Sequence, residues 1–290
     1  MYTTDNYSGY SIVVLWFFAS YFSFLAIMMY IFSGRKSFER NEVFVPGHIL
    51  AASTSSTSLC YFLMALDIGR VDEAYAIQVA PGIIQAPGTL LFRNVDPPIF
   101  WIRHVGWAVS TSIAIYLLAI LAGSRRRPGR LTPLPSSGLV RGAGANPARG
   151  VPGLEVICAV GLNLAVQILG LCATLAPRGE LSKWMYWVAG GAIMAGTLQR
   201  VIGQQGPFGR AALRNGRLSE FNTLARFMAL TWSAYPIVWA VSDGSHTVDS
   251  DAREVLYGLC DFVAKTGFAV LLWAHLAGRR RQPSPPAAVA

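Results

Sequence analysis

Lys265 lies near the middle of an apolar stretch running from Leu256 to Leu276, and Asp261 precedes it by four residues. On a helix that spacing puts both side chains on one face, where a cation and an anion can share a pocket inside a bundle. A charged group deep in a membrane helix is costly, so an intramembrane lysine is read first as a functional residue. Its chemistry is that of a nucleophilic amine, which can condense with an aldehyde. Snorkelling to the lipid interface is the competing explanation, but several helical turns separate Lys265 from the basic run Arg279-Arg280-Arg281.

The elements that must position this pair are membrane helices. Of 290 residues, 53% are hydrophobic and 13% charged, a composition that excludes an ordinary soluble domain. Seven stretches are long enough to cross the hydrocarbon core as helices: 10–33, 43–66, 98–122, 154–176, 181–202, 223–242 and 252–276. The expected fold is all-α, a seven-transmembrane helix bundle occupying residues 1–278, with a basic and then disordered tail over 279–290. Connections 34–42 and 123–153 carry three and six Lys and Arg, against two in 67–97, two in 177–183 and none in 243–251. The positive-inside rule then places the N-terminus outside and the C-terminus in the cytoplasm, most simply across the plasma membrane. The formal charge of +9 belongs to that inner excess facing anionic lipid headgroups and calls for no nucleic acid partner.

Among the connections, 124–153 reads as a flexible inner loop, and 70–97 holds two short extended pieces, 79–82 and 88–92, expected as an outer hairpin. The outer acids Asp243, Asp249, Asp251 and Glu254 are expected as a solvated loop face, and the four cysteines, all within spans, as small core residues.

Within the spans the strong charges are few. Arg103 in the third span should join Asp261 and Lys265 in one hydrated cluster, because a lone buried charge costs several kcal/mol. Aromatic residues surround them. The sixth span reads W-S-A-Y-P-I-V-W, in which Trp232, Tyr235 and Trp239 recur at three and four and share a face, with Pro236 loosening the helix beside them. With Trp107 and Trp187 they could sandwich a flat apolar ligand.

These segments carry a family resemblance. The seventh span, L-Y-G-L-C-D-F-V-A-K-T-G-F, resembles the retinal-binding helix of the microbial rhodopsins, and W-S-A-Y-P-I-V-W resembles their sixth helix. The third, W-I-R-H-V-G-W-A-V-S-T-S, is similar to the helix that carries their arginine and proton acceptor, and the second, ending S-L-C-Y-F-L-M-A, is closest to fungal members. The resemblance implies all-trans retinal bound to Lys265 as a Schiff base, with Asp261 as its counterion and Tyr61 bonded near it. It further implies Trp107, Trp187, Trp232, Tyr235, Pro236 and Trp239 along the polyene. Asn163, Val166, Gly170, Gly190 and Met194 would approach the ring, Ser110 and Thr111 would line the third helix, and Arg103 would sit on the outer side.

Three departures decide the expected activity. Where proton-pumping members carry the acceptor carboxylate this chain has Gly106, the intervening threonine is Ser110, and the inner donor carboxylate is Leu117. A protonated Schiff base and Arg103 then face Asp261 alone, and a unit pair about 4 Å apart is worth about 4 kcal/mol at an effective dielectric near 20. Relief could come by loss of the Schiff-base proton near neutral pH, by an anion such as chloride settling in the space beside Gly106 and Ser110, or by reorientation of His104 or Arg103. His104, in the place of the family's tyrosine, could also serve as a substitute proton acceptor. The expected function is that of a non-enzymatic, non-pumping photoreceptor with a separate signalling partner and a homo-oligomeric state common in the family. The alternative is light-driven or light-gated ion transport, of anions above all, with a halide near Gly106.

Overall fold

The computed structural model describes residues 9–34, 41–71, 99–124, 150–177 and 180–278. Seven long helices occur among them: α1 (Gly9–Gly34), α2 (Asn41–Ala65), α3 (Ile102–Gly123), α4 (Gly153–Leu175), α5 (Leu181–Ile202), α7 (Leu218–Trp239) and α8 (Ser250–Gly278). A short helix, α6 (Pro207–Arg214), lies between α5 and α7, and a π-helical turn over Ala240–Gly244 extends α7. Neighbours pack in the order α1, α2, α3, α4, α5, α7, α8 and back to α1, while α3 also touches α7, so the long helices form a closed ring. The seven expected spans correspond to these seven helices within a few residues. The outer hairpin pieces, the 124–153 loop except its two ends, and the 279–290 tail lie outside the described residues.

Five of the helices are long and apolar enough to cross a membrane: Tyr10–Ile31, Ile102–Gly123, Gly153–Leu175, Leu218–Gly244 and Ser250–His275. In α2 the apolar run is interrupted by Ala-Ala-Ser-Thr-Ser-Ser-Thr-Ser over residues 51–58. Those hydroxyls are satisfied close to home. Thr54 donates to the carbonyls of Leu50 and Ala51, Thr57 donates to that of Ser53, and Ser58 reaches across to the carbonyl of Ala19 on α1 at 2.8 Å. Small side chains and a cross-helix hydroxyl let α1 and α2 approach closely, and an aromatic cluster of Phe18, Phe22 and Tyr61 fills the space between them.

The third span begins later than the apolar pattern suggests. Ile99 and Phe100 pair antiparallel with Val71 and Arg70 in a two-residue ladder, β1 (Arg70–Val71) with β2 (Ile99–Phe100), so α3 opens only at Ile102. At the other end of α3, helix α6 closes the bundle, an element the basic 203–222 connection did not announce. Gly206 precedes it, Pro207 starts it, and Phe208, Ala211 and Ala212 are buried. Just beyond it, Asn215 donates to the carbonyl of Ala122 at 2.9 Å, and Arg217 Nε donates to that of Ser124 at 2.7 Å. Both bonds satisfy carbonyls at the C-terminus of α3 that lack a helical partner.

The main core runs through the middle and this end of the bundle, from Ile115, Leu118 and Ala122 on α3 to Leu224 and Met228 on α7 and Phe268 and Leu272 on α8. On α8 the buried positions Glu254, Tyr257, Asp261, Lys265, Phe268 and Leu272 follow spacings of three and four and make one inward stripe.

Candidate functional site

The stripe on α8 carries two charged clusters two helical turns apart. In the inner one, the ammonium of Lys265 pairs with Asp261 Oδ1, and both residues are buried. The same carboxylate accepts the hydroxyl of Tyr61 from α2 at 2.8 Å, that of Tyr235 from α7 at 2.7 Å, and the indole N–H of Trp107 from α3 at 3.2 Å. Four helices thus converge on one carboxylate. A buried anion is tolerated when its lone pairs are filled by donors and a cation lies beside it, and here both conditions hold.

The outer cluster corrects two expectations. Arg103 pairs with Glu254 instead of completing the Asp261 and Lys265 group, and Glu254 is fully buried. Arg253 Nε donates to Glu254 Oε1 at 3.2 Å, its Nη1 donates to Asp243 at 3.3 Å, and Tyr257 donates to Asp243 at 2.6 Å. The Arg103 guanidinium also stands 4.6 Å from the centre of the Tyr257 ring. Asp243 and Glu254 are therefore members of a buried ionic network and not a solvated loop face. Asp249 does stay at the surface, where its carboxylate accepts the Ala252 N–H at 2.7 Å as the N-terminal cap of α8, and Asp251 bonds Ser11 on α1. The sequence held a signal for the network: Glu254 and Tyr257 sit seven and four residues before Asp261, on its face of the helix.

Charge counting changes accordingly. Arg103, Arg253 and Lys265 bring three positive charges, and Glu254, Asp243 and Asp261 three negative ones. The buried excess of positive charge expected from the sequence does not arise, because two acids assigned to a loop are folded inward.

The space expected beside Gly106 is also filled. A Cβ placed on Gly106 would lie 2.8 Å from Cys60 Sγ and 3.2 Å from Cys60 Cβ, so the thiol from α2 stands where an α3 side chain would begin. Ser110 is buried one turn on, its hydroxyl turned back to the Trp107 carbonyl at 3.5 Å, and Leu117 is buried in the main core.

Next to the inner cluster lies an apolar cavity of about 100 Å³. From α3 it is lined by His104, Trp107 and Thr111, and from α4 by Asn163, Val166 and Gly170. Trp187, Gly190 and Met194 of α5 face it, as do Trp232, Tyr235, Pro236 and Trp239 of α7. A second, smaller cavity contains Lys265 and Ser110 and shares Thr111, Trp232 and Tyr235 with the first, so the two adjoin at those three side chains. The aromatic pattern and the resemblance together had grouped these residues, His104 apart, around the ligand, without Gln167, Tyr186 and Tyr257, which also line the larger cavity.

The walls are fixed by their own polar tips. Trp239 donates to Thr174 Oγ1 at 2.8 Å, Trp187 donates to the Pro236 carbonyl at 3.2 Å, and the two rings stack 6.2 Å apart. Thr111 donates to the Trp107 carbonyl and accepts from the Asn163 amide at 2.8 Å, locking α3 to α4. His104 packs against Gly170, where an added methyl would come within 3.3 Å of its ring, and meets Trp107 edge to face at 5.2 Å. That position puts His104 on the α4 side of the larger cavity.

A lysine amine beside a carboxylate, opening toward a long aromatic slot, suits an aldehyde with an extended apolar tail. Among known families, the one described as "Bacteriorhodopsin-like protein" matches residues 9–278. The chain belongs to this family. Opsin-1 of Neurospora crassa is 26% identical over 186 residues, which cover 64% of this chain and 52% of that protein, so the match spans about half of its length. Halorhodopsin of Natronomonas pharaonis is 23% identical over 261 residues, covering 87% of this chain and 76% of that one. Among solved structures, the light-driven proton pump LR (Mac) from Leptosphaeria maculans shares the fold with a TM-score of 0.72 at 19% identity, over 94% of this chain and 98% of the other. A halorhodopsin, a light-driven chloride pump, gives 0.71 at 18% identity, over the same shares of the two chains. Microbial rhodopsins bind retinal through a Schiff base and act as light-driven pumps, channels or sensors, not as enzymes. As a member, the chain is an integral membrane protein.

Proposed function

We propose that this bacteriorhodopsin-like protein is a retinal-bearing photoreceptor that does not pump ions. Lys265 is the attachment point, and Asp261 carries the negative charge that balances it. Thr111, Trp232 and Tyr235 stand between the two cavities, while Val166, Gly170, Gly190 and Met194 leave room for a ring at the far end of the larger one. Retinal supplies visible-light absorption and isomerisation about a double bond; the protein supplies a fixed charge and a shaped, apolar slot.

The observation that carries the non-pumping reading is the absence of any carboxylate on the α3 face toward Lys265. Positions 106, 110 and 117 are Gly, Ser and Leu, and Cys60 fills the first of them. Proton transfer out of the pocket would have to use Asp261, yet that carboxylate is held by Tyr61, Tyr235 and Trp107 besides Lys265. A group saturated by fixed donors serves to orient and neutralise, and a pump needs one that can take up a proton and pass it on. Leu117 likewise offers no internal donor, which favours a long-lived light state suited to signalling.

The test is electrical. Protein reconstituted with all-trans retinal should show a visible band and yield no stationary photocurrent at zero voltage under voltage clamp. A stationary current would reject the photoreceptor in favour of a pump, and a current that reverses with an ion gradient would establish a channel.

A further inference from the structure

We propose that Cys60 is a plug: its thiol occupies the position that Gly106 leaves open and thereby keeps anions and water away from the Lys265 centre. The proposal rests on the retinal reading of Lys265 given above.

Two neighbouring residues of α2 divide the work. Tyr61 turns to α8 and donates to Asp261, while Cys60 turns to α3 and meets Gly106 so closely that not even a methyl fits there unless the thiol moves. Cys60 is buried and lies within electrostatic reach of both Asp261 and Lys265. A side chain lost from one helix is thus replaced by a side chain from the next. The replacement is neutral and weakly polar, so it fills volume without contributing a charge or a proton acceptor.

The consequence concerns ion selectivity. A thiol sulfur and a chloride ion have nearly the same radius, and Cys60 lies within electrostatic reach of the Lys265 cation. Removing the sulfur would leave a chloride-sized opening beside Gly106, within electrostatic reach of Lys265, whereas the sulfur in place leaves none. The glycine alone does not create an anion site; glycine together with a small residue at position 60 would.

The experiment titrates sodium chloride against sodium sulfate in retinal-reconstituted protein and reads the visible band. Wild type and Cys60→Ser, which keeps an atom at the γ position, should show no halide-dependent shift, and Cys60→Ala should acquire one that sulfate does not reproduce. A shift in the wild type, or none in Cys60→Ala, overturns the proposal. Thermal midpoints of retinal-free protein test the packing separately. Gly106→Ala should lower the midpoint in the wild-type background and be relieved when combined with Cys60→Ala; purely additive effects overturn the plug. Wild-type protein that stays colourless with retinal would instead reject the chromophore reading, and the midpoint cycle would still decide whether Cys60 fills the place of Gly106.

Discussion

The two charged clusters on α8 are built from similar parts and behave as opposites. The outer one joins two arginines to two acids in a closed network whose cations are permanently charged. The inner one has a single lysine and a single acid, and its cation sits on an amine that can be covalently changed. Because the outer network neutralises itself, Asp261 is left to Lys265. Charge sufficiency in one region is what permits chemistry in the other.

Removing the reactive partner gives the largest break in this comparison. Lys265→Ala should abolish the visible band of retinal-treated protein altogether, and a retained band would show that another amine carries the chromophore. Next is the outer network: Glu254→Gln leaves Arg103 without its main carboxylate, and losing one partner of a buried pair costs about 3–5 kcal/mol. Thermal unfolding in detergent should register that loss with the pigment still able to form, whereas loss of pigment with no loss of stability would place Glu254 in the inner site. Tyr235→Phe sharpens the inner cluster. It deletes one of three neutral donors to Asp261, a hydrogen bond to a charged group worth about 1.5–3 kcal/mol, and should shift the band without bleaching it. The smallest effect is expected from Thr174→Val, which frees the Trp239 indole N–H at the cavity wall for about 1 kcal/mol. Its band should stay where it is in wild type, and a large shift would mean that Trp239 positions the chromophore more tightly than its neighbours do.

Much of this was legible in the sequence, for identifiable reasons. Hydropathy gave the seven helices, and helical spacing gave the Lys265 and Asp261 pair and the shared face of Trp232, Tyr235 and Trp239. Tyr61 was assigned to the site by resemblance alone, Trp107 and Tyr235 by the aromatic pattern as well, and their donors have a common acceptor in Asp261. The misreadings concern residues whose environment is made by another helix. Glu254 and Asp243 look solvent-facing in a linear reading because acids near a span end usually are, and only Arg103, arriving from α3, and Arg253 make their burial affordable. Gly106 suggested a hole because a glycine says nothing about what its neighbour on α2 will do. Helix α6 was missed because its basic residues mask a short apolar side that faces the end of α3.

The end of the bundle closed by α6 has a mechanical meaning. Through Asn215 and Arg217 the start of α7 is tied to the last carbonyls of α3, while the other end of α7 runs into a π-helical turn, a looser winding than the α-helix it continues. Helix α7 is therefore clasped at one end and more loosely wound at the other. Displacing the clasped end of α7 from α3 would break both hydrogen bonds, so its hold is set by residues remote from Lys265.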